Sequence, residues 1–226
     1  MNTSLTNAAR LVAAGLRALL VLTVVTGIVY PLVVTGVAQG LFPGKANGSE
    51  ITADGGGVVG SSLIGQAYDL PLRDGRKTPE PDLKWFQGRP QNGLGTNSVN
   101  TQYDLILSGA TNRSADDAEL VRWVREAKAA VVKDNSVPGH PVRPEDVPAD
   151  AVTSSGSGLD PDISPRYAGL QVHRVAERNG LPAERVQRLV DEHTASRTLG
   201  FIGEPRVNVL ELNIALKELV APAAGN

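Results

Sequence analysis

Residues Ala18–Phe42 read ALLVLTVVTGIVYPLVVTGVAQGLF, 25 consecutive positions without Asp, Glu, Lys, Arg or His. A bilayer core about 30 Å thick takes roughly 20 apolar residues in a helix, so this run can span a membrane with some tilt. Pro31 lies near its centre and lacks a backbone donor, which predicts a kink rather than a break. Thr26, Gly27 and Gly36 leave small notches of the kind that pack against other membrane helices. Gly27 and Gly36 are therefore the candidate packing positions.

The flanks set the orientation. Arg10 and Arg17 precede the run; Lys45 follows it, near Glu50 and Asp54. The positive-inside rule places the N-terminus in the cytoplasm and the domain outside it. A cleaved signal peptide is the alternative, with Gly36 and Ala38 at −3 and −1. A signal core is usually ~7–15 residues, shorter than this run. The resulting division is a cytoplasmic segment 1–17, a membrane helix 18–42, a Gly/Ser/Pro-rich linker 43–57 and an extracytoplasmic domain 58–226.

The part beyond residue 42 has 184 of the 226 residues, enough to bury a core. It carries 20 basic and 24 acidic side chains. That acidic balance, with aromatics at 4%, argues against a nucleic-acid partner. The chain has no cysteine, which excludes disulfides, thiolate metal sites and a Cys nucleophile.

Strands are expected at Val58–Ile64, Tyr103–Leu107 and Ala151–Thr153. Ser114 and Asp117, spaced like a capping box, should start a helix that carries Leu120, Val124, Ala127 and Val131 and ends near Asn135. Four prolines within 137–150 forbid regular structure there. Ser164-Pro165 predicts a helix to about Asn179 with Gly180 as its left-handed stop. Pro182 opens another, bearing Val186, Leu189 and Val190. Residues 198–206 read as a turn-rich bridge, and Asn208 as the cap of a last helix with Leu212, Ala215, Leu216 and Leu219. The fold class is α+β, with helices mainly in the C-terminal half of the domain.

The motifs of catalysis fail one by one. A phosphate-binding loop around Gly44-Lys45 needs Gly at position 39 and a hydroxyl at 46, where the chain has Gln39 and Ala46. No Ser has Gly two residues away on both sides, so there is no nucleophile elbow. His140, His173 and His193 lie on a Pro-rich loop and two different helices, without zinc-site spacing. Asp160 and Asp162 favour the start of the Ser164 helix. No catalytic or metal residue is assigned, and no intrinsic cofactor.

Ser154–Pro165 (SSGSGLDPDISP) and Leu199–Asn213 (LGFIGEPRVNVLELN) resemble the C subunit of the bacterial Kdp potassium-transporting P-type ATPase. Shorter pieces agree in family order: Gly60–Gln66, Phe86–Pro90, Val147–Asp150 and His193-Thr194. Asp162 stands where the family often has His, and residues 91–113 diverge.

The resemblance implies a non-catalytic accessory subunit of an ATP-driven, high-affinity potassium uptake complex. Its partners would be a channel-like potassium-binding subunit and an ATP-hydrolysing pump subunit, in the inner membrane. It also implies a catalytic chaperone that raises the pump's affinity for ATP. Ser108, Gly109 and Asn112 are the implied nucleotide contacts, although the same residues read better as a loop entering the Ser114 helix. ATP is cytoplasmic and the domain is not, so nucleotide effects are expected through the complex. Gly156, Ser157, Gly158 and Asp160, with Gly203, Glu204, Pro205 and Arg206, are the candidate docking surface; fixed turns and helix starts are the competing reading. A membrane-tethered or secreted extracytoplasmic enzyme or binding protein is the alternative function.

Overall fold

The structure, a computed structural model, describes residues 3–52, 56–71, 80–90, 94–96, 104–106 and 108–221. The chain divides into two units, Met1–Glu50 and Ile51–Asn226.

The first unit is helical. α1 (Thr3–Val24) runs into a π-helical turn at Val25–Val29 and then into α2 (Tyr30–Leu41). The apolar helix is thus longer than the uncharged run, with Ser4–Leu41 forming one candidate span of 38 residues. At 1.5 Å per residue its length is roughly 57 Å, well beyond a bilayer core of about 30 Å. Pro31 is accommodated by re-registering the backbone: the Tyr30 N–H bonds to the Val25 carbonyl, five residues back. In an α-helix the proline ring would meet the carbonyl four residues earlier, and the wider turn makes room. The Thr26 hydroxyl donates to the Leu22 carbonyl at 2.7 Å. The expected linker begins with the short turn α3 (Pro43–Ala46).

β1 (Glu50–Thr52) pairs with β2 (Val58–Ser61), and β3 (Leu94–Thr96) pairs antiparallel with β4 (Asp104–Ile106). β2 stops before the expected Ile64. The Ser61 hydroxyl accepts from the Leu63 N–H at 3.1 Å and closes a turn. Tyr103 and Leu107, the ends of the strand expected there, lie outside the described residues. α4 (Ala118–Asn135) is capped by Asp117 rather than Ser114. The Asp117 carboxylate accepts from the N–H groups of both Glu119 and Leu120, and an acid at that position also suits the helix dipole. Ala149–Ala151 is a 3₁₀ turn, so the expected strand at Ala151–Thr153 does not form. Thr153 folds back instead, its N–H and hydroxyl both bonding to the Ala149 carbonyl.

β5 (Asp162–Ile163), α5 (Pro165–Asn179), α6 (Ala183–Glu192), β6 (Thr194–Ala195), β7 (Arg206–Asn208) and α7 (Val209–Val220) complete the domain. Three helix boundaries follow the sequence signals. Ser164 caps α5, Gly180 ends it at φ +63°, and Asn208 caps α7. β7 is the centre of a three-stranded antiparallel sheet, ordered β5-β7-β6. The core lies among α5, α6, α7 and this sheet. Val172, Val175, Val186, Val190, Val207, Leu212 and Leu216 are buried there, and Phe86 joins them from the preceding loop. Burying each such side chain contributes about 1.5–3 kcal/mol.

Candidate docking site

One strand pairing joins the two stretches of the expected docking surface. In the first, the loop before β5 is closed by its own serines. The Ser157 hydroxyl accepts from the Leu159 N–H at 3.1 Å and the Ser155 hydroxyl from the Asp160 N–H at 3.4 Å. Gly158 sits at φ +70°, a conformation glycine adopts without penalty. Arg89 clamps this loop, pairing with Asp160 at 3.1 Å and donating to the carbonyls of Thr153 and Ser154.

The second stretch is the long hairpin between β6 and β7. Gly203 has φ +80°, Glu204 pairs with Arg197 at 2.7 Å across the hairpin, and Pro205 leads into Arg206, the first residue of β7. The register sets Asp162 opposite Asn208 and Ile163 opposite Val207. The Arg206 guanidinium reaches the Asp162 carboxylate at 3.1 Å. Burial pushes the Asp162 carboxyl above its ordinary range; Arg206 opposes that shift, while Asp160 and Glu211 add to it. The loop and the hairpin therefore meet at Asp162. Of the charges in the expected set, Asp160 is matched by Arg89, Arg206 by Asp162 and Glu204 by Arg197.

Ser108, Gly109 and Asn112 are exposed, and Asn112 adopts φ +51°. The Gly109 N–H donates to the Ser157 carbonyl at 2.8 Å. This segment thus rests on the Gly156–Gly158 turn, and its glycine amide is already bonded. Around Gly27 and Gly36 nothing lies within 4 Å of where a side chain would begin, so both notches are open.

The recognised sequence stretches interlock. Asp150 accepts from both the N–H and the hydroxyl of Ser164, at 2.7 and 3.0 Å. Asn208 donates to the Ser62 carbonyl, and the Gly65 N–H donates to the Leu159 carbonyl. At Gly60 a Cβ would run into the ends of the Gln66 and Leu210 side chains, which would have to shift. Buried Asn213 and Gln171 each grip one residue by both backbone groups, Asn213 on Phe86 and Gln171 on Gln87. The sequence assigned neither residue a role.

Arg174 was equally hidden among the helix-forming residues of α5. It is 1% exposed, yet among the described residues no carboxylate lies at hydrogen-bond distance. Its guanidinium donates to Asn135 Oδ1, Gln171 Oε1 and the carbonyls of Leu83 and Trp85. Burial lowers its pKa to about 10, so the charge persists at neutral pH. Four neutral oxygens solvate a buried cation and fasten the 83–87 loop to α4 and α5.

His140 and His173, which the sequence places on a Pro-rich loop and a helix, stack with ring centroids 3.6 Å apart. They line a cleft of about 460 Å³ with Asp146 and Arg166. No serine, threonine, tyrosine or lysine is among the lining residues. Burial, and then the neighbouring His140, lower the His173 pKa. His193 is elsewhere, its Nδ1 2.8 Å from the Leu189 carbonyl. Among the described residues no three His, Cys, Asp or Glu side chains are grouped to hold a metal ion.

The model of the KdpC family, described as "K+-transporting ATPase, c chain", matches residues 12–218. The chain is 87% identical to the potassium-transporting ATPase KdpC subunit of Streptomyces coelicolor over 226 residues, covering all of both chains. It is 47% identical to the KdpC subunit of Gemmatimonas aurantiaca over 210 residues, 91% of this chain and 94% of that one. The KdpC subunit of Caldanaerobacter subterraneus is 46% identical over 199 residues, 88% of this chain and 90% of that one. These matches take in both the apolar helix and the α+β domain, and the chain belongs to the KdpC family, the c chains of the K+-transporting ATPase.

Proposed function

We propose that this chain is a non-catalytic accessory subunit that assists assembly and coupling of an ATP-driven, high-affinity potassium uptake complex in the inner membrane. The observation that carries this reading is a family match running from residue 12 to 218, through helix and domain alike. Arg10 and Arg17 before the apolar run, against Lys45 after it, favour a cytoplasmic N-terminus and an extracytoplasmic domain. The partners are a channel-like potassium-binding subunit and an ATP-hydrolysing pump subunit. Gly27 and Gly36 pack against membrane helices of the complex; the Gly156–Asp160 loop and the Gly203–Arg206 stretch form the docking surface of the domain.

A chaperone-like gain in ATP affinity fits this arrangement through conformational coupling. A domain across the bilayer can favour the ATP-binding conformation of the pump only by binding it better than its alternatives. The Ser108–Asn112 segment acts in this scheme as a support for the docking loop, consistent with the Gly109–Ser157 hydrogen bond.

Purification through a tag on this chain, from potassium-starved membranes in a mild detergent, tests the proposal. The expected eluate contains both partner subunits and hydrolyses ATP in response to potassium. Recovery of this chain alone, under conditions that keep other membrane complexes whole, would overturn it.

A further inference from the structure

The hairpin between β6 and β7 ends in an apolar tip. Leu199, Phe201 and Ile202 are 79%, 72% and 50% exposed, and they fall within four consecutive residues. Among the described residues of the domain, no other stretch this short exposes three large apolar side chains. Scattered exposed hydrophobics need no explanation, but a cluster does.

The tip is built rather than loose. Thr198 and Ile202 exchange both backbone hydrogen bonds, at 2.9 and 3.0 Å, and the Phe201 N–H bonds to the Thr198 carbonyl. Leu199 and Gly200 follow each other at φ +55° and +82°. Two successive positive φ values are the mark of the mirror-image hairpin turns, where Asn, Asp or Gly is favoured at the first position. A leucine there holds an unfavourable backbone conformation, and such outliers concentrate at functional positions. The Arg197–Glu204 pair braces the base of the tip at 2.7 Å. Nearer the sheet, Arg206 is paired with Asp162.

These ion pairs select the occupant. A loop that enters an anionic bilayer surface carries unmatched basic residues beside its apolar side chains. Both arginines of this hairpin are matched by acids, Arg197 by Glu204 and Arg206 by Asp162, so no unmatched basic residue stands beside the tip. An aromatic and two aliphatic side chains on a rigid turn, ringed by matched charges, instead have the form of an interface anchor that fills a pocket on another protein. The relatives are subunits of an ATPase, so a partner chain exists for them to meet.

We propose that Leu199, Phe201 and Ile202 form an apolar plug that seats in a hydrophobic pocket on a partner subunit of the same complex. The plug lies next to Gly203–Arg206 and supplies the apolar contact which that polar stretch lacks. This inference rests on the accessory-subunit reading. Because the turn is fixed before association, little ordering entropy is lost when it docks.

Incorporation of benzoylphenylalanine in place of Phe201 in the full chain, followed by irradiation of intact membranes, identifies the neighbour. A cross-link to another subunit of the ATPase is the expected result. A cross-link confined to lipid or to a second copy of this chain overturns the plug. In parallel, a tagged L199N/F201S/I202T chain should recover about tenfold less of the partner subunits than the parent chain. Equal recovery also overturns it. If the unaltered tagged chain itself recovers no ATPase, the accessory-subunit reading fails, and with it the plug; loss of recovery only in the variant supports both.

Discussion

The domain breaks the rule of apolar inside and polar outside at two places, in opposite senses. Around Arg174 a charged side chain and three amide side chains, Asn135, Gln171 and Asn213, are buried. At the 199–202 tip, three large apolar side chains face outward. The buried set is fully engaged within the chain: each member donates to or accepts from a backbone or amide group that the fold would otherwise leave unmatched. The exposed set is not, because no core side chain covers it. The inner exception organises the domain; the outer one points to something beyond it. The two respond oppositely to mutation, which makes the contrast measurable.

The largest effect is expected at Arg174. Arg174→Met keeps most of the volume but takes a donor from four oxygen acceptors, of which Gln171 Oε1 keeps the Gln87 N–H. Unmatched buried polar groups and broken buried networks put the loss at about 3–5 kcal/mol. Thermal unfolding of the full chain in detergent should then fall by roughly 10 °C, given about 2–4 °C per kcal/mol for a domain of this size. A loss below about 1 kcal/mol would show that the 83–87 loop is held by its apolar contacts instead.

At the tip the sign reverses. Leu199→Gly relieves the left-handed backbone and should raise stability by about 1 kcal/mol, while recovery of partner subunits falls. The same two assays, unfolding temperature and co-purification, check both halves. A single substitution that stabilises the chain and weakens the complex separates the outer exception from the inner one. A drop in both would mean that the tip also packs within its own domain.

The stacked imidazoles lie between the two cases, His173 half-buried and His140 exposed, and carry the smallest effect. The folded-state pKa of His173 is lowered from the ordinary value of 6.5. The unfolded chain therefore binds the proton more readily, and stability rises with pH across this range. The stabilisation is complete above the unfolded pKa and is lost as pH falls through the folded one. Acidification from about pH 7.5 to 5.5 should lower the unfolding temperature slightly, and His173→Asn should flatten that slope. An unchanged slope in the variant would show that the stack does not govern it.

What the sequence made legible follows locality. Ser164-Pro165, Gly180 and Asn208 mark helix boundaries because caps and left-handed stops depend on residues a few positions apart. The capping box at Ser114 misleads by three residues, since Asp117 offers the same acceptor directly at the helix start. Ala151–Thr153 has strand-like composition, but among the described residues no strand pairs with it, and Ala149 captures Thr153. β5 passed unnoticed because two residues carry no period; only β7, more than forty positions away, defines it. The docking residues were legible as family stretches, but their internal charge pairing and the exposure of Leu199, Phe201 and Ile202 were not. Exposure is a property of what fails to pack against a residue, and local spacing does not encode it. Arg174 was invisible for the complementary reason: its four acceptors come from three separated segments.

The π turn at Val25–Val29 affects how any neighbour reads the membrane helix. One additional residue is taken up in a single wide turn, so the angular phase of the side chains shifts between α1 and α2. A helical wheel drawn straight through Ala18–Phe42 therefore misassigns the azimuth of every position beyond Val29. Gly27 lies inside the shift and Gly36 after it, and the two notches cannot be treated as a continuous stripe. The helix is better read as two segments whose side-chain faces point in different directions.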